Sequence, residues 1–565
     1  MSKSVKRFAV VLTAAALLAA GTFITKARAN DDDRDRQNHF EFIPGTLVLS
    51  GSVYVGNAGT VTPGEDLPLG CAGGANGSSN VQVPTTTAGT SITVNVPCGI
   101  ATDNGEYPNI FDSHNVWNNN TNSNNDFGVT SPIFLEDILP NGLPLEVLPI
   151  PSDQIVTSFS SKSELALNLS VDGKSLTFVG YQGGPGCGGF PVSPTAPNLI
   201  SVSNSNTPAI CDPTNPIITT TEGGSPTAYY RAVAEVDAHG NMQITDGNAY
   251  SGDNGRAAIK GANGLYYMAG NDNNGNIPKK SLLTTPIGID LVNGTGVELL
   301  VPGQTPAPVP PNVAMIGRLE IGSDKPGKDT NFRGITIFNN TLYVTKGSGS
   351  NGINTVYQVG STGTLPTGSA IDLATVPITI LTGFPTTTDS TNTSFPFGMF
   401  FANANTVYVC DEGDGSLVSP AVNGNVATTL AQNMAGVQKW VMQNGNWSLV
   451  YVINNGLNIG VPYGVPGYPT SLNPATDGCR NLTGRVNRDG TVEIWAVTST
   501  VSANGDPGAD PNRLVKVTDI LSATSLPSGA GNPFIDRFVT LRTATIREVF
   551  RGIAFAPEDH PGGLF

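Results

Sequence analysis

Two stretches far apart in the chain open on the same four residues: "FRGITIFNNTLYV" at Phe332 and "FRGIAFAPEDH" at Phe550. A repeat at this distance constrains the fold more tightly than composition does. Repeated supersecondary units bury their apolar faces against one another, so the architecture must be an array or a ring. The first of these stretches has a relative at Arg256, where "RAAIKGANGLYYMAG" runs parallel to "RGITIFNNTLYVTKG". Nine positions separate Arg256 from Leu265, and nine separate Arg333 from Leu342. Equal spacing points to equivalent hairpins.

The same grammar recurs along the chain. A short apolar strand is followed by a polar turn such as "VDGKS", "IFNNT" or "NRDGT", then by a returning strand such as "LTFVG", "LYVTK" or "VEIWAV". Asn-Gly, Asp-Gly and Asn-Asn between alternating apolar residues are hairpin signals. A 3.6-residue period is nearly absent, the nearest case being "TTLAQNMAGVQKWV" from Thr428. Units begin near Glu164, Gly255, Phe332, Phe397, Cys479 and Phe550, about 65 to 91 residues apart. After Phe550 there is room for only one strand before Phe565. The expected fold is therefore all-β: a single six-bladed β-propeller, seven blades being possible if one unit is split wrongly. It carries long loop insertions, and its ring is closed by mixed N- and C-terminal strands. In that closure "FRGIAFAP" gives the inner strand, and "TLVLSGSVYV" and "PLEVLPI" complete the sheet. Closing a ring in this way protects sheet edges.

"FRGITIFNNTLYVTK" and "FPFGMFFANANTVYVCDEG" resemble the blade openings of NHL-type and gluconolactonase-like six-bladed propellers, over the inner hairpins of about four blades. That resemblance implies a divalent metal in the central channel, held by an inner-strand Glu, Asn residues and an Asp. Glu164, in "SELALNL", stands where the family has its acid. The other ligands of that set have no placed counterpart.

The N-terminus has the form of a secretory leader: Lys3, Lys6 and Arg7, an apolar run from Phe8, and "ARA" at Ala27–Ala29. The expected organisation is a signal peptide at 1–29, a disordered acidic stretch at 30–43 and the propeller at 44–565. Residues 57–131 read as a Gly/Thr/Asn-rich loop region. Export to periplasm or medium follows, with no membrane span after cleavage. A net charge of −15 argues against nucleic acid and anionic membranes as partners. Six cysteines in an exported chain suggest disulfides, with nearest neighbours giving Cys71–Cys98, Cys187–Cys211 and Cys410–Cys479.

Standard catalytic signatures are absent, and four His (39, 114, 239 and 560) are too few and scattered for a cluster. His239, in "VDAHGN", reads as a turn residue. Carboxylate-rich turns make calcium a possible cofactor: Asp411, Glu412 and Asp414 in "CDEGDGS", then Asp506 and Asp510, then "AGNDNNGN". The most specific feature is an Arg at four unit openings, Arg256, Arg333, Arg480 and Arg551. Each has an acid three or four residues upstream: Asp253, Asp329, Asp477 and Glu548. Equivalent positions in a propeller ring the axis, so these eight residues should gather at one end of the channel. They are either locks between blades or a ligand site. The expected function is an exported binding or scaffold module for a small molecule, glycan or protein. The alternative is a calcium-dependent lactonase or phosphoesterase, and a third class is a surface adhesive or matrix component.

Overall fold

In the computed structural model the described residues are 40–55, 107, 130–159, 164–185, 230–247, 249–250, 254–271, 296–304, 313–317, 331–347, 353–369, 372–373, 375–387, 394–415, 433–502, 507–527 and 535–559. Short strands at 66–67, 80–87, 90–97, 99–100 and 191–192 are described as backbone. Residues 42–565 form one compact unit. The leader, the acidic stretch up to residue 39, most of 57–131 and Cys71, Cys98, Cys187 and Cys211 lie outside the described side chains.

Six antiparallel sheets form the propeller. In chain order, the first blade is built on Asn168–Leu169, Ser175–Gln182, Arg231–Asp237 and Met242–Gly247, with Ile155–Ser158 and Thr130–Ser131 extending the sheet. The second runs through Gly255–Lys260, Tyr266–Gly270, Val297–Leu300 and Val313–Met315. The third runs through Ile335–Phe338, Thr341–Lys346, Thr355–Val359 and Ile378–Ile380. The fourth comprises Pro396–Asn403, Thr406–Asp411, Gly436–Gln443 and Asn446–Ile453. The fifth comprises Ala475–Val486, Thr491–Val501, Arg513–Ile520 and Val539–Thr543. The sixth takes its inner strand, Glu548–Phe555, from the C-terminal end. Its other three strands, Leu47–Val53, Ile133–Ile138 and Pro144–Pro149, come from the N-terminal side. Both "FRGI" copies thus open inner strands, and the second one closes the ring. The helix-like stretch from Thr428 is in its described part the strand Gly436–Gln443.

Turn chemistry sets the hairpins. Asn339 and Asn340 both take positive φ, 46° and 55°, between Phe338 and Thr341. Two left-handed residues in a two-residue loop match the right-handed twist of the flanking strands.

Between blades lie apolar layers. Ile259, Tyr267 and Leu299 of the second blade meet Ile335, Leu342 and Tyr357 of the third. Tyr343 and Val356 of the third meet Met399, Phe401 and Trp440 of the fourth. Leu47, Leu49 and Ile553 of the sixth meet Trp495, Val497 and Leu514 of the fifth. Each buried aliphatic or aromatic side chain of this kind contributes roughly 1.5–3 kcal/mol, so the ring is held chiefly by sheet-on-sheet burial. Cys410 and Cys479 form a disulfide with Cα atoms 5.3 Å apart, tying the second strand of the fourth blade to the inner strand of the fifth. That pairing agrees with the proximity argument.

Candidate functional site at the ring end of the channel

Five of the six inner strands are interrupted at their opening by an extra residue. Register shifts place Arg256 between the pairs Gly255–Gly270 and Ala257–Ala269, and Arg551 opposite the Ser50/Gly51 step. Arg480 and Asn481 lie between Cys479–Thr498 and Leu482–Ala496, and Phe397 and Gly398 between Pro396–Asp411 and Met399–Val409. In the third blade Arg333 N–H donates to Thr345 O, and Thr345 N–H returns to Gly334 O, so two residues oppose one. These are β-bulges, which re-aim a side chain out of the ladder.

The bulges sit level with one another. A Cβ on Gly334 would collide with the Phe397 carbonyl, and one on Gly552 with Leu165 O. A Cβ on Gly398 would stand 2.7 Å from Arg480 O. Ala166 bridges Ala257 in parallel. The six equivalent positions are therefore Leu165, Arg256, Arg333, Phe397, Arg480 and Arg551. Glycine follows Arg in "FRG" because the next blade's backbone occupies the space a side chain would need. Hydroxyls complete the joint: Ser50 Oγ donates to Leu165 O at 2.7 Å, and Thr177 Oγ1 to Ala258 O at 2.7 Å. Thr345 Oγ1 donates to Phe397 O. Between the fifth and sixth blades, the Asn512 side chain accepts from Phe550 N–H and donates to Phe550 O, both at 2.8 Å. Asn481 Oδ1 accepts from Ile553 N–H at 2.6 Å.

Charge converges here from several blades. Arg480 Nε donates to Glu412 Oε2 at 3.1 Å, with both side chains largely buried. Arg333 lies 5.7 Å from the Phe397 ring centroid, a cation–π distance. Burial pushes its guanidinium down from its usual range. Glu412 and Glu164 pull it back up, while Arg480 lowers it further. Arg333 thus feels charges from the first, fourth and fifth blades, as a side chain at the axis must. It is surrounded by protein yet keeps some surface, being half-buried, whereas Arg256, Arg480 and Arg551 are only 4–6% exposed. Arg551 Nη2 donates to Phe159 O. Tyr181 donates to Glu164 Oε1 at 2.8 Å, fixing that carboxylate in the first blade.

Two of the upstream acids, Asp477 and Glu548, accept hydrogen bonds from elsewhere. Asp477 Oδ2 accepts from Gly415 N–H at 2.9 Å, and the loop crosses so closely that Gly413, at φ +84°, has no room for a Cβ. Glu548 Oε2 accepts from Thr545 N–H at 2.8 Å and from its hydroxyl at 3.0 Å. Asp253 and Asp329 lie outside the described residues. Arg480 therefore takes its carboxylate from the neighbouring blade.

Of the calcium candidates, Asp411 is fully buried and turned inward. It accepts from Ser394 Oγ at 2.6 Å, Phe395 N–H at 2.7 Å, Gln438 Nε2 at 2.8 Å and Gly413 N–H at 3.0 Å. Burial outweighs those donors and raises its pKa to about 7. Glu412 faces Arg480, and its backbone is pinned by bonds to Phe395 O and from Ser499 Oγ. Asp510 accepts from Tyr468 at 2.6 Å; Asp506 lies outside the described residues. Among the described residues, no group of three His, Cys, Asp or Glu is placed to hold a metal. His239 is an exposed turn residue, with Nε2 2.8 Å from Asp559. Among the described residues no helix is long and apolar enough to cross a membrane.

These features define the class: a six-bladed β-propeller whose inner strands carry arginines at equivalent bulge positions. No family model matches the chain, and no curated protein matches it. Among solved structures it is similar to a glucose dehydrogenase, at 10% identity, over 66% of this chain and 90% of that one, with a TM-score of 0.30. It is also similar to the Synechocystis apocarotenoid oxygenase, at 8% identity, over 76% of this chain and 59% of that one, with a TM-score of 0.21. Neither likeness bears on the chemistry of the ring.

Proposed function

We propose that the chain is an exported binding module that takes a small anionic ligand at the ring end of its channel. The observation that carries this is the setting of Arg333. Four guanidiniums occupy equivalent bulge positions, and the most open of them sits where the fields of Glu164, Glu412 and Arg480 meet. A guanidinium keeps its charge even when desolvated, and its planar fork suits carboxylate and phosphate oxygens. The leader-like N-terminus and the disulfide are consistent with export.

The blade openings' resemblance to NHL-type and gluconolactonase-like propellers supports a second reading, calcium-dependent hydrolysis of a lactone or phosphoester, with Glu164 as its acid. The charge of Arg333, which Glu164 feels, disfavours a cation there, which is why the anion reading is preferred.

Arg333→Ala and Arg551→Ala distinguish a ligand site from an inter-blade lock. Calorimetric titration with sodium phosphate, sodium succinate and calcium chloride reads binding, and thermal melting reads stability. The proposal expects anion binding to wild type, lost in Arg333→Ala with melting little changed. Melting that falls in both variants, with no anion bound by wild type, makes the arginines locks. Calcium bound by wild type and lost on Glu164→Gln favours the hydrolase.

A further inference from the structure

A second cluster of buried charge lies between the fourth and fifth blades, farther along the strands from the ring. Its centre is Asp519, on the strand Arg513–Ile520. Asp519 accepts from Tyr408 at 2.5 Å and from Tyr451 at 2.7 Å, and its Oδ2 lies 2.9 Å from Lys439 Nζ. Lys439 and Asp519 have no exposed side-chain surface. Lys439 also reaches Ile520 O at 2.7 Å and Ala523 O at 2.9 Å, so it pins the turn that follows the strand. Leu521, Ser522, Ala523 and Thr524 of that turn wall a cleft of about 390 Å³, with Thr406 and Val441 of the fourth blade opposite.

Beside Asp519 stands a second carboxyl. Asp536 is 6% exposed and is held by its own N–H bonding Thr518 O at 2.8 Å. Among the described residues, no donor meets either of its carboxyl oxygens. An ionised carboxylate buried without donors is strongly disfavoured, more so against another carboxylate. A protonated Asp536 removes both penalties and gains an acceptor in Asp519. We infer that Asp519 and Asp536 share one proton in the folded protein, and that this proton latches the fourth blade to the fifth at the cleft-wall turn.

Among the described residues, the titratable groups facing Asp536 fit this. Burial first, then Asp519, raise its pKa from 3.8 to about 8, while Lys439 on the strand Gly436–Gln443 opposes them. Tyr408 and Tyr451, on the other two packed strands, are pushed upward by burial and by Asp519, so they remain neutral donors. Arg537, next in sequence, is exposed. Loss of the proton sets two negative charges side by side against one lysine. Lys439 is then drawn from the carbonyls of Ile520 and Ala523, which frees the cleft wall.

The sign is fixed by linkage. The folded chain keeps the proton to about pH 8, whereas the unfolded chain releases it near 3.8. Stability from this group is therefore greatest in acid, declines as pH rises between those values, and levels off above the upper one. Carboxyl carbon NMR on full-length, selectively labelled protein tests the inference directly. The expected result is one carboxyl of the pair titrating near pH 8, with backbone amides of 520–524 losing protection over the same interval after correction for intrinsic exchange. Asp536→Asn, which keeps an N–H donor toward Asp519, should hold those amides protected across the interval. Two carboxyls that both titrate below about pH 5, or loss of protection that is identical in wild type and Asp536→Asn, overturn it. The wild-type titration decides the matter even if the variant folds poorly.

Discussion

The channel ring and the cluster at the fourth and fifth blades both bury charge, but they do so differently. Lys439 and Asp519 have no exposed side-chain surface, and their partners come from two adjacent blades. Arg333 keeps some exposed surface, and the charges acting on it come from three other blades. A fully buried pair between two sheets acts on the joint between those sheets. Under the proposed anion site, a guanidinium that keeps some surface can also meet a ligand brought from outside. The difference is largely one of geometry, since both regions set a basic side chain against a carboxylate.

The sharpest way to break the comparison is Lys439→Met. It leaves the buried Asp519 without its cation, facing Tyr408, Tyr451 and the Asp536 carboxyl, and removing one partner of a buried pair typically costs about 3–5 kcal/mol. Chemical denaturation should show that loss while anion binding at the ring is retained by the folded protein. Binding lost in proportion to stability would make the two regions one cooperative unit.

The disulfide tests whether the regions are coupled through the blade joint they share. Cys410 and Cys479 close a separation of 69 residues, for which chain-entropy reasoning gives on the order of 4 kcal/mol and typical measurements 2–4. Replacing both by Ser should lower the denaturation midpoint accordingly. The ring is expected to keep its ligand, because Gly398 still packs against Arg480 O.

Much of this architecture is legible in the sequence, and the reason is physical. A propeller repeats one hairpin, so the spacing from Arg333 to Leu342 reappears from Arg256 to Leu265. The closing strand is visible because the last unit has only one strand's worth of residues. The pairing of Cys410 with Cys479 followed from proximity alone. The ring arginines were also legible, since a bulge followed by Gly leaves a local "RG" trace at Arg333 and Arg551. The carboxylate partner of Arg480 was not. The acid upstream of Arg480 is near in sequence, but the carboxylate that meets Arg480 is Glu412, brought by the neighbouring blade's register. Asp411 reads as a cation ligand in "CDEGDGS" and proves to be a buried acceptor of four hydrogen bonds, because that donor set comes from 394–395, 413 and 438. The Lys439–Asp519 pair left no trace at all. Its members sit 80 positions apart on ordinary strands, and only inter-blade packing joins them.

The smallest expected effect is the most discriminating. Arg480→Lys preserves the charge beside Glu412, where both side chains are about a tenth exposed. A lysine can still meet that carboxylate as a point charge, so stability should fall by no more than ~1 kcal/mol. The fork is lost, however, and with it bidentate recognition of an oxyanion. If the ring is a site, phosphate or succinate should bind at least several-fold more weakly to Arg480→Lys, with thermal melting nearly unchanged. If Arg480 is only a joint between blades, anion affinity should stay put and melting alone should move. In that outcome the ring would resemble the Lys439–Asp519 cluster, and the distinction between the two regions would disappear.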